Sequence, residues 1–204
     1  TNFVGGLDLN EATALSSLGI SNNPSVTSLD LTNTAFLNQE IKDFDATMSN
    51  FLDCRDCKNL EEIKINTGAG KVNIESLMTQ KLTLNLGAGE VRIGSINADE
   101  ADIDTGAGKF TIESGNINNL DFDMGVGETN VTAKITGKSE IDTGIGAFTL
   151  KLLESEEYYK FKVNKGIGDI TIGGKSISDN QKIGNGENFI DISGGIGKIK
   201  IDFE

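Results

Sequence analysis

The chain lacks histidine and tryptophan, and it has few residues of several other kinds. Its 204 residues include one proline, two cysteines and two tyrosines. Without histidine, a serine or cysteine nucleophile has no usual general base, so we expect no catalytic residues. Positive charge is also scarce, with 18 Lys and Arg against 31 Asp and Glu and a net charge of −13. This balance argues against binding to nucleic acid and to anionic membrane surfaces.

Long apolar runs are missing too, so the sequence predicts no transmembrane helix and no direct membrane insertion. No signal peptide is visible, but residue 1 is threonine rather than methionine. We interpret the chain as a processed or trimmed product, from which a leader or anchor could have been removed.

Glycine, by contrast, is abundant, with 25 residues, and much of it falls in one repeated phrase. The phrase, with its Gly-x-Gly pair, occurs seven times, and the first glycines of these pairs are spaced by 19, 19, 19, 19, 22 and 29 residues. A fixed period near twenty is typical of repeat architectures. The glycines expected to be structural are Gly68, Gly70, Gly87, Gly89, Gly106, Gly108, Gly125, Gly127, Gly144, Gly146, Gly166, Gly168, Gly195 and Gly197.

Around each pair, apolar and polar residues alternate with a period of two, which predicts a strand on either side of a glycine corner. The clearest copy is Ile-Asp-Thr-Gly-Ala-Gly-Lys-Phe-Thr-Ile at residues 103–112. Stacked in register, such short strands can bond to the same strand one repeat away and bury their aliphatic columns together. We therefore predict an all-β fold, a single-stranded parallel β-helix or β-solenoid with about seven Gly-x-Gly rungs.

The corner should need glycine for two reasons, because glycine reaches positive φ without a steric penalty and because stacked backbones approach closely there. We expect the residue between the two glycines to point inward. It grows along the chain from alanine to valine to isoleucine, at Ala69, Ala88, Ala107, Val126, Ile145, Ile167 and Ile196.

The repeats occupy residues 61–204, and residues 1–60 are predicted to be an N-terminal cap with irregular opening rungs. The last repeat is expected to form the far edge of the stack. That edge would be covered by a loop or would pair with another molecule in an end-to-end homo-oligomer. Two return loops, 151–161 and 173–190, are longer than the others, and long loops on a rigid scaffold are common binding sites.

Two columns of acidic residues precede three consecutive glycine pairs and are predicted to face outward, about 4.8 Å apart from rung to rung. They contain Asp102, Asp104, Asp121, Asp123, Glu140 and Asp142. Repulsion between them could favour a hard cation such as calcium, and the alternative is an acidic face that water alone solvates. The glycine pairs match neither a dinucleotide fingerprint nor the calcium-binding nonapeptide, so we expect no other cofactor.

Cys54 and Cys57 form a Cys-x-x-Cys pair, but a zinc site would need two further ligands that histidine or cysteine cannot supply here. Two interpretations stay open. The thiols are buried in the cap, or they form a local disulfide in an exported protein.

The repeated phrase, with Val-Asn-Lys-Gly-Ile-Gly-Asp-Ile-Thr-Ile at residues 163–172 as another copy, resembles the bacterial adhesin β-strand-repeat family, also called toast-rack proteins. The resemblance covers about residues 60–204. It implies a β-helical module at the cell surface or facing the envelope, and not an enzyme.

Three functions follow as hypotheses. The first is a non-catalytic extracytoplasmic β-solenoid that acts as an adhesion or interaction module for a protein or cell-envelope component. The second is a structural scaffold that assembles through its terminal β-edges. The third is a polysaccharide-active β-helix enzyme that uses paired carboxylates.

Overall fold

The structure, a computed structural model, describes residues 5–8, 17–19, 26–30, 50–53, 62–67 and 70–204. Nearly all of these residues are in strands, which confirms the all-β class. The strands are β1 (Gly5–Asp8), β2 (Ser17–Gly19), β3 (Val26–Asp30), β4 (Asn50–Asp53), β5 (Glu62–Thr67), β6 (Gly70–Ile112), β7 (Gly115–Asn118), β8 (Leu120–Thr136), β9 (Lys138–Leu152), β10 (Tyr159–Asn164), β11 (Ile167–Ile172), β12 (Lys175–Ser176), β13 (Gln181–Gly184), β14 (Asn188–Ser193) and β15 (Ile196–Phe203). One turn of 3₁₀ helix spans Glu156–Tyr158. No helix within these ranges has the length and apolarity to cross a membrane.

Up to β9, the strands that flank the glycine corners pair in parallel with the next repeat at a constant offset of 19 residues. The register of β6 with β8 places Ile103 beside Phe122, and that of β8 with β9 places Phe122 beside Ile141. Nearer the start of the stack, Ile65 of β5 pairs with Leu84 of β6. Equivalent residues of successive repeats therefore stack, as the period of 19 residues predicts. The strands join into one 15-stranded sheet, whose longest members run through the glycine corners.

The core lies inside the stack and is built from the apolar columns. Ile103, Phe122 and Ile141 have no exposed surface, and their column continues into Ile192 and Val163. Burying one such side chain stabilises the fold by about 1.5–3 kcal/mol relative to exposure. Aromatic rings cross between columns as well, and the ring centres of Phe122 and Phe148 are 5.5 Å apart.

The order of the last two repeats is reversed in space, and the expectation that the final repeat forms the far edge is wrong. Strand β14 pairs with β9 on one side and β10 on the other. Strand β15 likewise lies between β9 and β11. The seventh repeat thus fills a gap between the fifth and the sixth. To enter the gap, the chain must pass from the outer sixth repeat back across about one strand spacing. The long 173–190 return loop supplies the residues for this reversal.

The outer edge of the sixth repeat is covered by the same return loop. Strand β13 pairs antiparallel with β10, from Lys160 to Val163, while β12 covers β11 only at Thr171 and Ile172. In the 151–161 loop, Tyr159 is fully buried, and its ring centre lies 6.1 Å from that of Phe203. Much of both long loops therefore covers the edge and the core.

Strands before residue 60 pair in parallel with those that follow. Leu29 of β3 lies between Leu7 of β1 and Ile63 of β5, and Leu52 of β4 pairs with Ile74 of β6. The sheet therefore continues through the proposed domain boundary, and the capping role of residues 1–60 stays a prediction. The predictions for Cys54, Cys57, Gly68 and Ala69 lie outside the described residues.

Candidate functional site

The glycine corners allow stacked backbones to approach closely. At the second glycine of each described pair φ is strongly positive, between 135° at Gly108 and 151° at Gly168. A Cβ atom on Gly127 would lie 1.9 Å from the carbonyl oxygen of Gly108. The first glycines have equally little space, since a Cβ on Gly106 would lie 2.2 Å from the Gly87 oxygen. A side chain at either position would push neighbouring repeats apart.

The residue between the two glycines points outward, so the prediction that it points inward is wrong. Val126, Ile145, Ile196 and Ile167 are 53%, 51%, 51% and 73% exposed. The corner itself is the physical reason. Before it, even-numbered Phe122 and Met124 are buried, whereas after it the odd-numbered Thr129 and Val131 are buried. The positive φ of the second glycine shifts the alternation by one residue and leaves the middle side chain outside.

These residues form a continuous row along the outside, which we call the corner ladder. In spatial order it contains Ala88, Ala107, Val126, Ile145, Ile196 and Ile167. Five large hydrophobic side chains are exposed among the described residues, and the ladder holds every one except Tyr158. Scattered exposed apolar residues are ordinary, but a contiguous row of them is typical of an interaction surface.

The predicted acidic residues are brought together side by side. Asp102, Asp121 and Glu140 share one column, and Asp104, Asp123 and Asp142 share the next. We call these six residues and Asp191 the carboxylate columns. Asp191 belongs to them because the seventh repeat follows the fifth in space, which pairs Asp191 with Glu140.

Sequence reasoning missed the Glu140–Asp191 contact because it assumed that repeats stack in chain order. The column ends one rung later at Lys162, whose Nζ lies 2.7 Å from Asp191 Oδ2. From Asp102 onward, four carboxylates therefore stand in succession before a cation compensates them.

The carboxylate columns hold like charges side by side, and Lys162 compensates them at the Asp191 end. Burial raises the pKa of Asp123, and the adjacent charges of Asp104 and Asp142 raise it further. A protonated Asp123 can also donate a hydrogen bond to the Asp104 carboxylate. Within the described part of the chain, the buried Oδ1 atoms of Asp142 and Asp191 have no hydrogen-bond partner. A cationic group from outside would relieve this repulsion.

The columns do not form a metal-ligand cluster. In residues 62–204, where side chains are described with short gaps, no three acidic or thiol groups converge as ligands for one ion. Parallel stacking explains this, since it holds the carboxylates in rows rather than around a centre. The predicted calcium surface therefore stays a prediction without a ligand set.

The other side of the corner ladder is bordered by a column of alternating charge. Lys71 Nζ lies 3.0 Å from Glu90 Oε2, and Lys109 Nζ lies 3.5 Å from Glu128 Oε1. A hydrogen bond from Asn130 lowers the pKa of Glu128, and the charge of Lys109 lowers it further. The charges on this side of the ladder compensate one another. The uncompensated negative charge beside the ladder therefore lies on the side of the carboxylate columns.

Comparison with known families identifies the chain. A family model described as Toastrack DUF4097 matches residues 25–202. The chain belongs to the Toastrack DUF4097 family. The match confirms the resemblance and extends it upstream of residue 60. The chain matches no curated protein and no solved structure.

The described surface of this Toastrack protein offers a row of apolar side chains beside the carboxylate columns. The Toastrack family is not a known enzyme family. The full sequence contains no histidine that could activate a nucleophile. Asp102, Asp104 and Asp123, among the predicted acidic residues, are exposed on an outer face. This arrangement suits recognition of another molecule.

Proposed function

We propose that the chain is a non-catalytic β-solenoid of about seven Gly-x-Gly rungs that acts as an adhesion or interaction module. Its partner is a protein or another component of the cell envelope, and its place is outside the cytoplasm. The extracytoplasmic part of the proposal rests on the resemblance to bacterial toast-rack and adhesin-type proteins.

The observation that carries the proposal is the corner ladder beside the carboxylate columns. Val126, Ile145, Ile196 and Ile167 each keep about half or more of their surface exposed. Each isoleucine forgoes part of the roughly 1.5–3 kcal/mol that full burial would contribute, and a partner that covers the row would recover it. The parallel backbone pairing beneath the row holds these side chains at fixed spacing, so a partner meets a preformed surface.

The proposal is tested by binding of the fluorescently labelled protein to intact bacterial cells and to purified cell walls. We expect saturable binding to at least one of these preparations, weakened when Ile145→Ser and Ile196→Ser are introduced together. The matched control is Tyr158→Ser, because Tyr158 is an exposed hydrophobic residue that lies outside the ladder. This control should bind like the unaltered protein. Absence of saturable binding to both preparations would contradict the proposal.

End-to-end assembly stays an alternative, although the repeat once expected at the edge is internal. One observation favours it, since β12 covers the outer side of β11 only at Thr171 and Ile172. Light scattering over a range of protein concentrations tests it. A constant monomer mass argues for the interaction module, whereas mass that grows with concentration argues for the scaffold.

A further inference from the structure

We propose that the corner ladder and the carboxylate columns together form a docking site for a basic amphipathic helix of a partner protein. The helix would present one row of aliphatic side chains, with lysine or arginine along one side of that row. This inference rests on the proposed function and names the chemical class of its partner.

The apolar half of the site fits a helix that lies along the stack. Neighbouring ladder residues are about 4.8 Å apart, so Val126 to Ile167 spans about 14 Å. Side chains on one face of an α-helix recur about every 5.4 Å, and three turns cover about 16 Å. An extended strand repeats its side chains about every 6.6 Å and falls out of step sooner.

The charged half of the site gives the helix its orientation. Ala107, Val126 and Ile145 each follow an aspartate of the inner carboxylate column by three residues, as Val126 follows Asp123, so the two lie within about 10 Å. Lysine and arginine side chains can span much of that distance. Ser193 and Asn164 stand at the matching positions before Ile196 and Ile167, so the charged border ends at the rung of Ile145. On the opposite side, Lys109 and Glu128 already pair with each other. Basic residues of the helix therefore contribute most to the binding free energy when they lie on the carboxylate side of the ladder.

The same charges argue against two other occupants. A second copy of this chain would bring another molecule of net charge −13 to an acidic surface. An anionic membrane would be repelled for the same reason. A basic segment both covers the apolar row and compensates the exposed carboxylates beside it, such as Asp123.

Fluorescence anisotropy with a labelled synthetic helix tests the proposal. The probe is a peptide of about four helical turns, with leucines on one face and lysines along one border of it. There are two control peptides. One has the same residues in scrambled order, and the other has glutamate in place of each lysine. We expect saturable binding of the probe alone, weakened by added salt because ion pairs contribute.

Two double variants of the full chain separate the halves of the site. Ile145→Ser with Ile196→Ser removes apolar contact, and Asp123→Asn with Asp142→Asn removes charge from the inner carboxylate column. Each should weaken probe binding at least about tenfold, given the burial and charge lost. Asp99 is exposed but lies outside the carboxylate columns, so Asp99→Asn is the control for the charge variant and Tyr158→Ser the control for the serine variant. Both controls should bind within about twofold, and circular dichroism checks that every variant is folded.

Several outcomes would overturn the proposal. Equal binding of the scrambled peptide, or no effect of the serine variant, would reduce the interaction to non-specific charge attraction. A dimer that the serine variant dissociates would make a second copy the occupant. Ladder-dependent binding to phosphatidylglycerol vesicles would make it a membrane. If cells or cell walls still bind the protein while the probe does not, this inference fails and the proposed function stands.

Discussion

Replacing Gly127 with alanine should destabilise the fold strongly, because it would both strain the backbone and place a Cβ atom against the neighbouring repeat. The φ angle of Gly127 is +141°, a conformation that side chains rarely adopt. The new Cβ would also lie 1.9 Å from the Gly108 carbonyl oxygen, where ordinary contact begins at 3.4 Å. The two backbones would have to separate by about 1.5 Å, more than a hydrogen-bonded strand pair tolerates.

The magnitude follows from these two effects. Backbone strain costs about 1–3 kcal/mol, and separating the repeats at the corner weakens two or three hydrogen bonds of about 1 kcal/mol each. We expect a loss of about 3–6 kcal/mol in the free energy of unfolding. At about 2–4 °C per kcal/mol for a chain of this size, Tm should fall by about 6–24 °C.

Thermal and denaturant unfolding, followed by circular dichroism, measure the effect. Gly174→Ala is the matched control, because Gly174 also has positive φ, at +73°, but a Cβ added there would meet no atom within 4 Å. It should cost about 1 kcal/mol. Gly106→Ala isolates the steric clash, since φ at Gly106 is outside the positive range. Equal stability of Gly127→Ala and Gly174→Ala would refute the close stacking of the corners.

Three further predictions concern the site and the core. The raised pKa of Asp123 means that the folded state binds more protons than the unfolded state. The free energy of unfolding should therefore fall as pH rises from the ordinary pKa of 3.8 through the raised pKa. Asp123→Asn should therefore stabilise the protein by about 0.2–1 kcal/mol at pH 7 and not at pH 3, in denaturant titrations with Asp99→Asn as the control. Ile145→Ser should change stability by less than about 0.5 kcal/mol, whereas Ile141→Ala should cost about 2–5 kcal/mol in the same assay. Calcium and magnesium at equal millimolar concentration should raise Tm equally by screening, and a rise specific to calcium would contradict the lack of a ligand set among the described residues.

The stacking of the repeats could be predicted from the sequence because it depends on features that repeat. Aliphatic and aromatic residues such as Ile103 and Phe122 return at the same phase of every copy, and a single register buries them all. The side-by-side placement of Asp102 and Asp121 follows from that register without further information.

The direction of the corner residues could not be predicted by counting alternate positions. Such a count places Val126 with Phe122 and Met124 on the inside, and only the backbone angles of the corner reveal the shift. The spatial order of the last repeats was hidden for a different reason. Charge matching points to chain order, which would place Lys162 between Glu140 and Asp191, whereas Lys162 in fact pairs with Asp191 on one side and Lys182 on the other.

Disulfide trapping across the corner ladder tests the central claim most directly, that the corner side chains form one external row with the seventh repeat beside the fifth. In a background with Cys54→Ser and Cys57→Ser, the pair Ile145→Cys and Ile196→Cys should oxidise readily within one molecule. Parallel neighbours lie about 4.8 Å apart, within the range for a disulfide. The pair Ile145→Cys and Ile167→Cys, about 9.6 Å apart, should stay reduced. Closure of the second pair but not the first, on non-reducing gels, would contradict the account.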